Sequence, residues 1–186
     1  RVAEELGVKP PYILYISRIE HPGKNHLRLI TAFEELKSRY SVPHTLVIAG
    51  GDYLRAGEVH QRADASPYTE DIIFTGFVPT LLLPYMYAAA DVFAFPSLYE
   101  GFGLPLIEAM ISETPVVCSN IECFKEVAGE ASEFYLAGNY YDLERILIKV
   151  LNNSKIKNDL VKKGKEQAKR YSWRKTARKM LSIFNS

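Results

Sequence analysis

The sequence lacks an excess of charge of either sign. Its 186 residues include 23 lysines and arginines and 22 aspartates and glutamates, which gives a formal net charge of +1. A protein that binds nucleic acid over a broad surface needs a basic excess, so we expect no nucleic-acid partner. The sequence also lacks any apolar run near the roughly 18 residues of a transmembrane helix, and its opening, RVAEELGVKP, lacks the order of a signal peptide. These absences predict a cytoplasmic protein.

Cysteine is scarce, and paired acidic ligands are missing. The sequence has two cysteines, Cys118 and Cys123, a number more typical of core packing in a reducing compartment than of a disulfide or a metal site. No Asp-x-Asp sequence occurs, although carboxylates are the side chains by which a protein holds Mg²⁺. His21 and His26 flank Lys24 in the sequence, but two imidazoles without further ligands do not make a metal site. We therefore expect no metal and no other cofactor.

Hydrophobic residues make up 47% of the chain, enough for one domain with a full core. Apolar runs of strand length alternate with segments of helical period. Runs that are apolar on both faces and are each followed by a helix predict a parallel sheet covered on both sides. The fold class is therefore α/β, a doubly wound parallel sheet of about six strands. Strands are predicted at 12–16, 45–49, 72–75, 92–95, 115–119 and, more weakly, 132–135; helices at 25–40, 81–90, after residue 103 and over 141–184; and a short helix or lead-in at the start.

The segment PSLYEGFGLPLIEAM, residues 96–110, predicts an anion-binding turn. It follows a predicted strand, so it lies at the carboxyl edge of the sheet, where open parallel sheets bind their ligands. Gly101 and Gly103 let the backbone approach a ligand, and the helix that follows directs free N–H groups at it. The helix dipole contributes only about 0.3–1 kcal/mol, so cationic side chains are required as well.

Two carboxylates and two cations complete this predicted site. Glu108 lies about one turn beyond the helix start, where its carboxylate can accept both hydrogen bonds of a vicinal diol. Glu100 precedes the helix and can hold a second hydroxylated group. Arg18 and Lys24, in the loop after the first strand, can each contribute about 1.5–3 kcal/mol in charge-assisted contacts to a diphosphate. The residues alone leave an alternative open, in which Glu100 caps the loop, Glu108 is a solvated helix residue and both cations are solvated.

Motifs along nearly the whole chain resemble those of one enzyme family. Residues 100–110, EGFGLPLIEAM, are similar to the E-x7-E signature of the group 1 glycosyltransferases, which are retaining enzymes with the GT-B fold. The chain departs from the family pattern at Ser17 and Glu113, where glycine is common. Further segments resemble family motifs in the same order: Ser17-Arg18-Ile19 with Lys24-Asn25 (G-R-L and K-N), Ile48-Ala49-Gly50-Gly51, Phe74-Thr75-Gly76-Phe77-Val78 (F-x-G-x-V), Thr114-Pro115-Val116-Val117 (T-P-V-V) and Tyr171-Ser172-Trp173 (F-S-W).

The resemblance implies that residues 1–186 form a single domain, the carboxy-terminal donor-binding half of a GT-B enzyme, with C-terminal helices. The acceptor-binding amino-terminal half would then be absent from this chain, which would be inactive alone. The implied reaction is metal-independent, retaining transfer of a sugar from a nucleoside diphosphate to an acceptor hydroxyl. The implied setting is the synthesis of cell-surface polysaccharide or glycolipid.

The resemblance also implies roles for individual residues. Arg18 and Lys24 contact the donor diphosphate, Glu100 the donor sugar and Glu108 the ribose, and the first three form the catalytic set. Val78 lies near the base, which is read through the backbone. The full donor-binding set is Arg18, Lys24, Val78, Glu100, Gly101, Phe102, Gly103, Leu104 and Glu108.

Two other functions and one further partner remain open from the sequence. The same fold would serve as half of a sugar-nucleotide epimerase, which needs no acceptor, or as a non-catalytic nucleotide-binding module. The basic segment 155–179 predicts an amphipathic helix pair. Such a pair can pack on the sheet and on the absent half, or it can contact an anionic membrane at its inner face.

Overall fold

The computed structural model describes residues 7–184, so the predicted lead-in over the first six residues lies outside the described part. Six strands form one sheet in the order β3-β2-β1-β4-β5-β6, and every pairing is parallel. The prediction of a six-stranded, doubly wound α/β sheet is confirmed. The strands are β1 (Tyr12–Ile16), β2 (Thr45–Ala49), β3 (Ile72–Gly76), β4 (Val92–Phe95), β5 (Val116–Ser119) and β6 (Glu133–Tyr135).

The helices match the predicted segments, with two additions that the sequence pattern does not predict. The additional helices α2 and α5 have nine and seven residues, which is shorter than the window in which a helical period can be recognised. A short 3₁₀ turn, Thr69–Asp71, precedes β3. The α-helices are α1 (His26–Tyr40), α2 (Ala56–Asp64), α3 (Leu83–Ala89), α4 (Leu104–Ile111), α5 (Glu122–Ala128), α6 (Tyr140–Leu151), α7 (Ser154–Ala168) and α8 (Trp173–Phe184).

Burial explains why the strand sequences are continuous runs of apolar residues. Every residue of β4 and β5 is buried, because helices cover both faces of the sheet. The two basic C-terminal helices differ in this respect. Helix α7 buries Leu160, Gly164 and Ala168 and packs on α4, whereas α8 has no buried residue within the described structure. Among residues 7–184, no helix has the length and apolarity needed to cross a membrane.

The strand order places the candidate site. The chain moves outward from β1 through β2 to β3, then returns to the other side of β1 with β4. Ile13 pairs with Val92 and Leu14 with Phe93, so β1 and β4 are neighbours. The loops that follow these two strands therefore lie on either side of the crevice that forms where the strand order reverses, which is the usual ligand position in such sheets.

Candidate functional site

Lys24 and Glu100 meet in the crevice between the loops that follow β1 and β4. Lys24 Nζ lies 2.5 Å from Glu100 Oε1, and the side chains are only 16% and 15% exposed. A hydrogen bond between two charged groups in such a setting is stronger than a neutral one. The sequence predicts both residues at this edge of the sheet but does not predict that they contact each other. This contact is a salt bridge to a different loop. It therefore differs from the alternative in which Glu100 only caps its own loop.

Arg18 lies on the outer side of the same crevice. Its guanidinium is 4.3 Å from the centre of the Tyr53 ring and 3.5 Å from Glu20 Oε2, and the side chain is 60% exposed. Arg18, Lys24 and Glu100 line one cavity of about 280 Å³, together with Glu20, Gly23, Tyr99 and Gly101. This volume is near the lower limit of small-molecule sites, about 300–1,000 Å³. The structure thus brings the three predicted catalytic residues together.

Hydrogen bonds from two side chains hold the Lys24 loop to β1 and to the end of β4. The Asn25 side-chain amide donates to the Pro96 carbonyl at 3.0 Å, and the Tyr15 hydroxyl donates to the Lys24 carbonyl at 2.8 Å. Burial raises the pKa of Tyr15 well above its usual value, so the phenol stays protonated and remains a donor. Neither positioning role is predicted from the sequence. A buried tyrosine within an apolar strand is a usable signal, because its hydroxyl requires a partner.

The departure from glycine at Ser17 is accommodated because the close backbone contact falls on Gly50. A Cβ at Gly50 would lie 1.8 Å from the Ser17 carbonyl oxygen, and Gly50 has φ +143°. Ser17 itself has room for a side chain, and its hydroxyl donates to the Arg18 carbonyl at 2.9 Å. The same hydroxyl lies 3.4 Å from Nε2 of His26. Ser17 therefore leaves the path of the loop intact.

His26 is a structural histidine at this edge of the sheet. It is fully buried, and its Nδ1 lies 3.2 Å from the Glu20 carbonyl oxygen. Burial lowers its pKa from 6.5 to about 4, so the ring is neutral at pH 7. Within residues 7–184, no group of three or more His, Cys, Asp or Glu side chains is placed to hold a metal ion.

The turn before α4 requires glycine at position 103 for two reasons. Gly103 is the N-cap of α4 with φ +93° and ψ +49°, a conformation that residues with a Cβ rarely adopt. A Cβ there would also lie 2.9 Å from Cε1 of Phe124. Gly101, in contrast, is exposed and has open space around its Cβ position. Gly103 is thus needed for packing and backbone conformation. This requirement does not depend on whether a ligand binds at the turn.

Phe102 and Leu104 present their side chains away from the Lys24 cavity. Phe102 is 44% exposed and Leu104 46%, and the rings of Phe102 and Tyr171 meet edge to face with their centres 5.7 Å apart. Both residues line an apolar groove of about 960 Å³ between α4 and α8, to which Ile111 and Trp173 also contribute. Any contact of Phe102 or Leu104 with a ligand in the Lys24 cavity would therefore be made by the backbone.

Glu108 is placed apart from the Lys24–Glu100 pair. It is exposed on α4, does not line the 280 Å³ cavity, and accepts a hydrogen bond of 2.9 Å from the Tyr87 hydroxyl. Val78, after β3, is 6% exposed and packs in the core, whereas the adjacent Phe77 is 79% exposed. The two carboxylates predicted to contact the sugar and the ribose, Glu100 and Glu108, therefore do not line the same cavity.

The two cysteines are free thiols with different surroundings. Cys118 is buried, with Sγ 3.1 Å from the Ser132 hydroxyl, which confirms the expected core packing. Cys123 packs against the edge of the core. Its thiol is only partly buried and lies 3.7 Å from the Phe102 carbonyl oxygen, because α5 places it beside the glycine turn rather than under the sheet.

Comparison with known proteins gives consistent matches along the chain. The profile of the family described as "Glycosyl transferases group 1" matches residues 1–167. The chain is 33% identical over 176 residues to the O-antigen chain mannosyltransferase B of Escherichia coli, an alignment that covers 93% of this chain and 45% of that protein. The chain therefore spans about half the length of this relative.

Two solved structures share the fold. The crystal structure of HepE from Anabaena, in complex with UDP and glucose, superposes with a TM-score of 0.86 at 22% identity, covering 100% of this chain and 51% of that one. The C-terminal domain of the group 1 family protein LpcC from Francisella tularensis superposes with a TM-score of 0.77 at 22% identity. That match covers 91% of this chain and 90% of the LpcC domain.

Proposed function

This chain belongs to the group 1 glycosyltransferases, and on that premise we propose that the crevice between β1 and β4 binds the sugar and diphosphate of a nucleoside diphosphate sugar. One observation carries the proposal: Arg18, Lys24 and Glu100 line a single cavity at the carboxyl edge of the sheet. Two cations, Arg18 and Lys24, stand in this cavity beside the carboxylates of Glu20 and Glu100. In this proposal the cations bind the diphosphate, and the Glu100 carboxylate binds the hydroxylated ring.

The proposed reaction transfers the sugar to an acceptor hydroxyl with retention of the anomeric configuration. As the sugar–phosphate bond breaks, positive charge grows on the sugar and negative charge on the leaving diphosphate. Arg18, Lys24 and the N-terminus of α4 stabilise the negative charge. A lysine ammonium has three donors, so Lys24 can keep its hydrogen bond to Glu100 and still donate to a phosphate oxygen. We propose that these cations replace a metal ion.

The rest of the donor extends from this cavity over α4. Glu108 accepts hydrogen bonds from the ribose diol, and the backbone from Gly101 to Leu104 approaches the sugar and phosphates. The backbone at Val78 contacts the base. The separate placement of Glu100 and Glu108 supports this division, since a nucleotide sugar carries two hydroxylated rings on either side of its diphosphate.

We further propose that the chain is the donor-binding half of a two-domain enzyme that acts in cell-surface polysaccharide or glycolipid synthesis in the cytoplasm. The match to the LpcC C-terminal domain over 90% of its length supports the domain assignment, and the relative from E. coli supports the setting.

Helix α8 exposes Trp173, Leu181 and Phe184 at 79%, 60% and 79%. In this proposal its apolar face packs on the acceptor-binding half, and the alternative is contact with an anionic membrane.

Calorimetric titration of the 186-residue chain with UDP, GDP and ADP tests the donor site. We expect at least one of these diphosphates to bind with one-to-one stoichiometry, and its parent nucleoside to bind at least about tenfold more weakly, because the contacts to phosphate are lost. The proposal fails if none of the three binds, or if nucleoside and diphosphate bind equally.

A separate assay tests the domain assignment. The chain alone is incubated with UDP-glucose or GDP-mannose and acceptor sugars. It should release no more nucleoside diphosphate than the same mixture without protein. Multiple turnover by the 186-residue chain would overturn its assignment as a donor-binding half.

A further inference from the structure

Glu108 meets a fully buried tyrosine. The Tyr87 hydroxyl donates to Glu108 Oε2 at 2.9 Å, and Tyr87 is 1% exposed, whereas Glu108 is exposed. The other carboxylate oxygen, Oε1, accepts no hydrogen bond from the described residues. Tyr87 therefore holds one side of the carboxylate from within the protein and leaves the other side open at the surface.

Tyr87 is fixed at both its backbone and its ring. The buried Thr114 hydroxyl donates to the Tyr87 carbonyl at 2.7 Å, and the Tyr87 ring contacts Phe93 edge-on, with ring centres 5.3 Å apart. Thr114 is the first residue of the T-P-V-V segment. These contacts connect that segment through α3 to the carboxylate on α4.

The phenol of Tyr87 stays a hydrogen-bond donor. Burial, and next the negative charge of Glu108, raise the pKa of Tyr87 well above its usual value. The hydroxyl is therefore protonated at neutral pH. Without this donor, an exposed glutamate on a helix would sample several rotamers.

We propose that Tyr87 is a positioning residue that orients the Glu108 carboxylate toward the two hydroxyls of the donor ribose. This inference rests on the proposed function, in which Glu108 accepts hydrogen bonds from the ribose. A carboxylate that receives a diol must present its oxygens in one orientation, and the hydroxyl of Tyr87 selects that orientation. Because Tyr87 is buried, it acts through Glu108 and does not touch the nucleotide.

The test compares ribonucleotides with nucleotides that lack the diol. UDP and GDP, and their 2′,3′-dideoxy counterparts, are titrated into the 186-residue chain and its variants. Glu108→Ala should weaken binding of the ribonucleotide about tenfold or more, and Tyr87→Phe about threefold to tenfold. Neither substitution should change binding of the dideoxy compound, and Tyr87→Phe should add nothing in the Glu108→Ala background.

Tyr12→Phe is the matched control. The Tyr12 hydroxyl is also buried and also donates a hydrogen bond to α3, to the Met86 carbonyl at 2.6 Å. It does not contact Glu108. We expect Tyr12→Phe to bind both classes of nucleotide as the unchanged chain does. If Tyr87→Phe fails to fold, as judged by circular dichroism, Thr114→Val provides the second variant, with a smaller loss that is again confined to the ribonucleotide.

The possible outcomes separate this inference from the proposed function. Loss of both nucleotide classes in Glu108→Ala, or no binding of UDP and GDP to the unchanged chain, would overturn the ribose contact and this inference with it. A ribose-selective loss in Glu108→Ala, with Tyr87→Phe behaving like Tyr12→Phe, would overturn the role of Tyr87 alone. In Thr114→Val, an equal loss of affinity for ribonucleotides and for dideoxynucleotides would also overturn the role of Tyr87.

Discussion

Lys24 and Glu100 form a largely buried ion pair of 2.5 Å, although they are 76 residues apart in the chain. The pair connects the loop after β1 to the loop after β4, on opposite sides of the point where the strand order reverses. Each charge neutralises the other within the crevice. Removing one partner therefore leaves the other charge without its counter-ion in a partly desolvated site.

Lys24→Ala should weaken nucleoside diphosphate binding about tenfold to a hundredfold, because a charge-assisted contact to phosphate is lost. It should also lower the melting temperature, since the largely buried Glu100 carboxylate loses its ion-pair partner. Calorimetry and thermal unfolding measure the two effects. The control is Lys125→Ala, which breaks a surface pair of 2.7 Å with Glu122. Equal behaviour of the two variants would contradict the assigned role of Lys24.

Arg18→Ala should weaken diphosphate binding about tenfold and leave stability nearly unchanged. The reason is that the Arg18 side chain is 60% exposed, so the fold does not depend on it. Titration with UDP and GDP, alongside urea unfolding, checks both parts. Arg55→Ala is the control, because Arg55 is also an exposed arginine but pairs with Glu58 at 2.6 Å. An unchanged affinity in Arg18→Ala would remove Arg18 from the site.

Gly103→Ala should lower the free energy of unfolding by roughly 1–3 kcal/mol. The added Cβ would lie 2.9 Å from the Phe124 ring at a residue with φ +93°. Gly101→Ala, two positions earlier in the same turn, places its Cβ in open space and should cost much less. Urea unfolding of both variants gives the comparison. A Gly103→Ala variant as stable as Gly101→Ala would show that the turn can relax.

Stability should fall between pH 6.5 and pH 4 because of His26. Burial lowers the pKa of this ring to about 4 in the folded protein, against an ordinary value of 6.5, so the unfolded chain takes up the proton first as the pH falls. The contribution is fully present above pH 6.5 and is lost toward pH 4. It amounts to about 3 kcal/mol.

Urea unfolding at pH 7 and pH 4.5 measures this dependence. His26→Gln removes the titrating ring, so the drop in stability between the two pH values should be smaller in the variant than in the unchanged chain. Identical drops would mean that His26 has a similar pKa in the folded and unfolded states.

The fold follows in large part from local patterns. The apolar runs at β1, β2 and β4 and the period of α1 predict their elements because buried strands and helices each have their own spacing of hydrophobic residues. Helices α2 and α5 cannot be predicted in this way, because their nine and seven residues include few large apolar side chains. The exposed apolar face of α8 is also not predictable, since burial depends on what covers a helix.

The candidate site divides in the same way. The residue types and their positions after β1 and β4 are enough to predict that Arg18, Lys24 and Glu100 gather at one edge, because the carboxyl ends of parallel strands share that edge. The partners of individual side chains depend on the folded structure: Lys24 with Glu100, Tyr87 with Glu108, and Gly50 against Ser17. These contacts depend on the relative positions of distant segments to within an ångström, and only the packing of the whole sheet and its helices sets those positions.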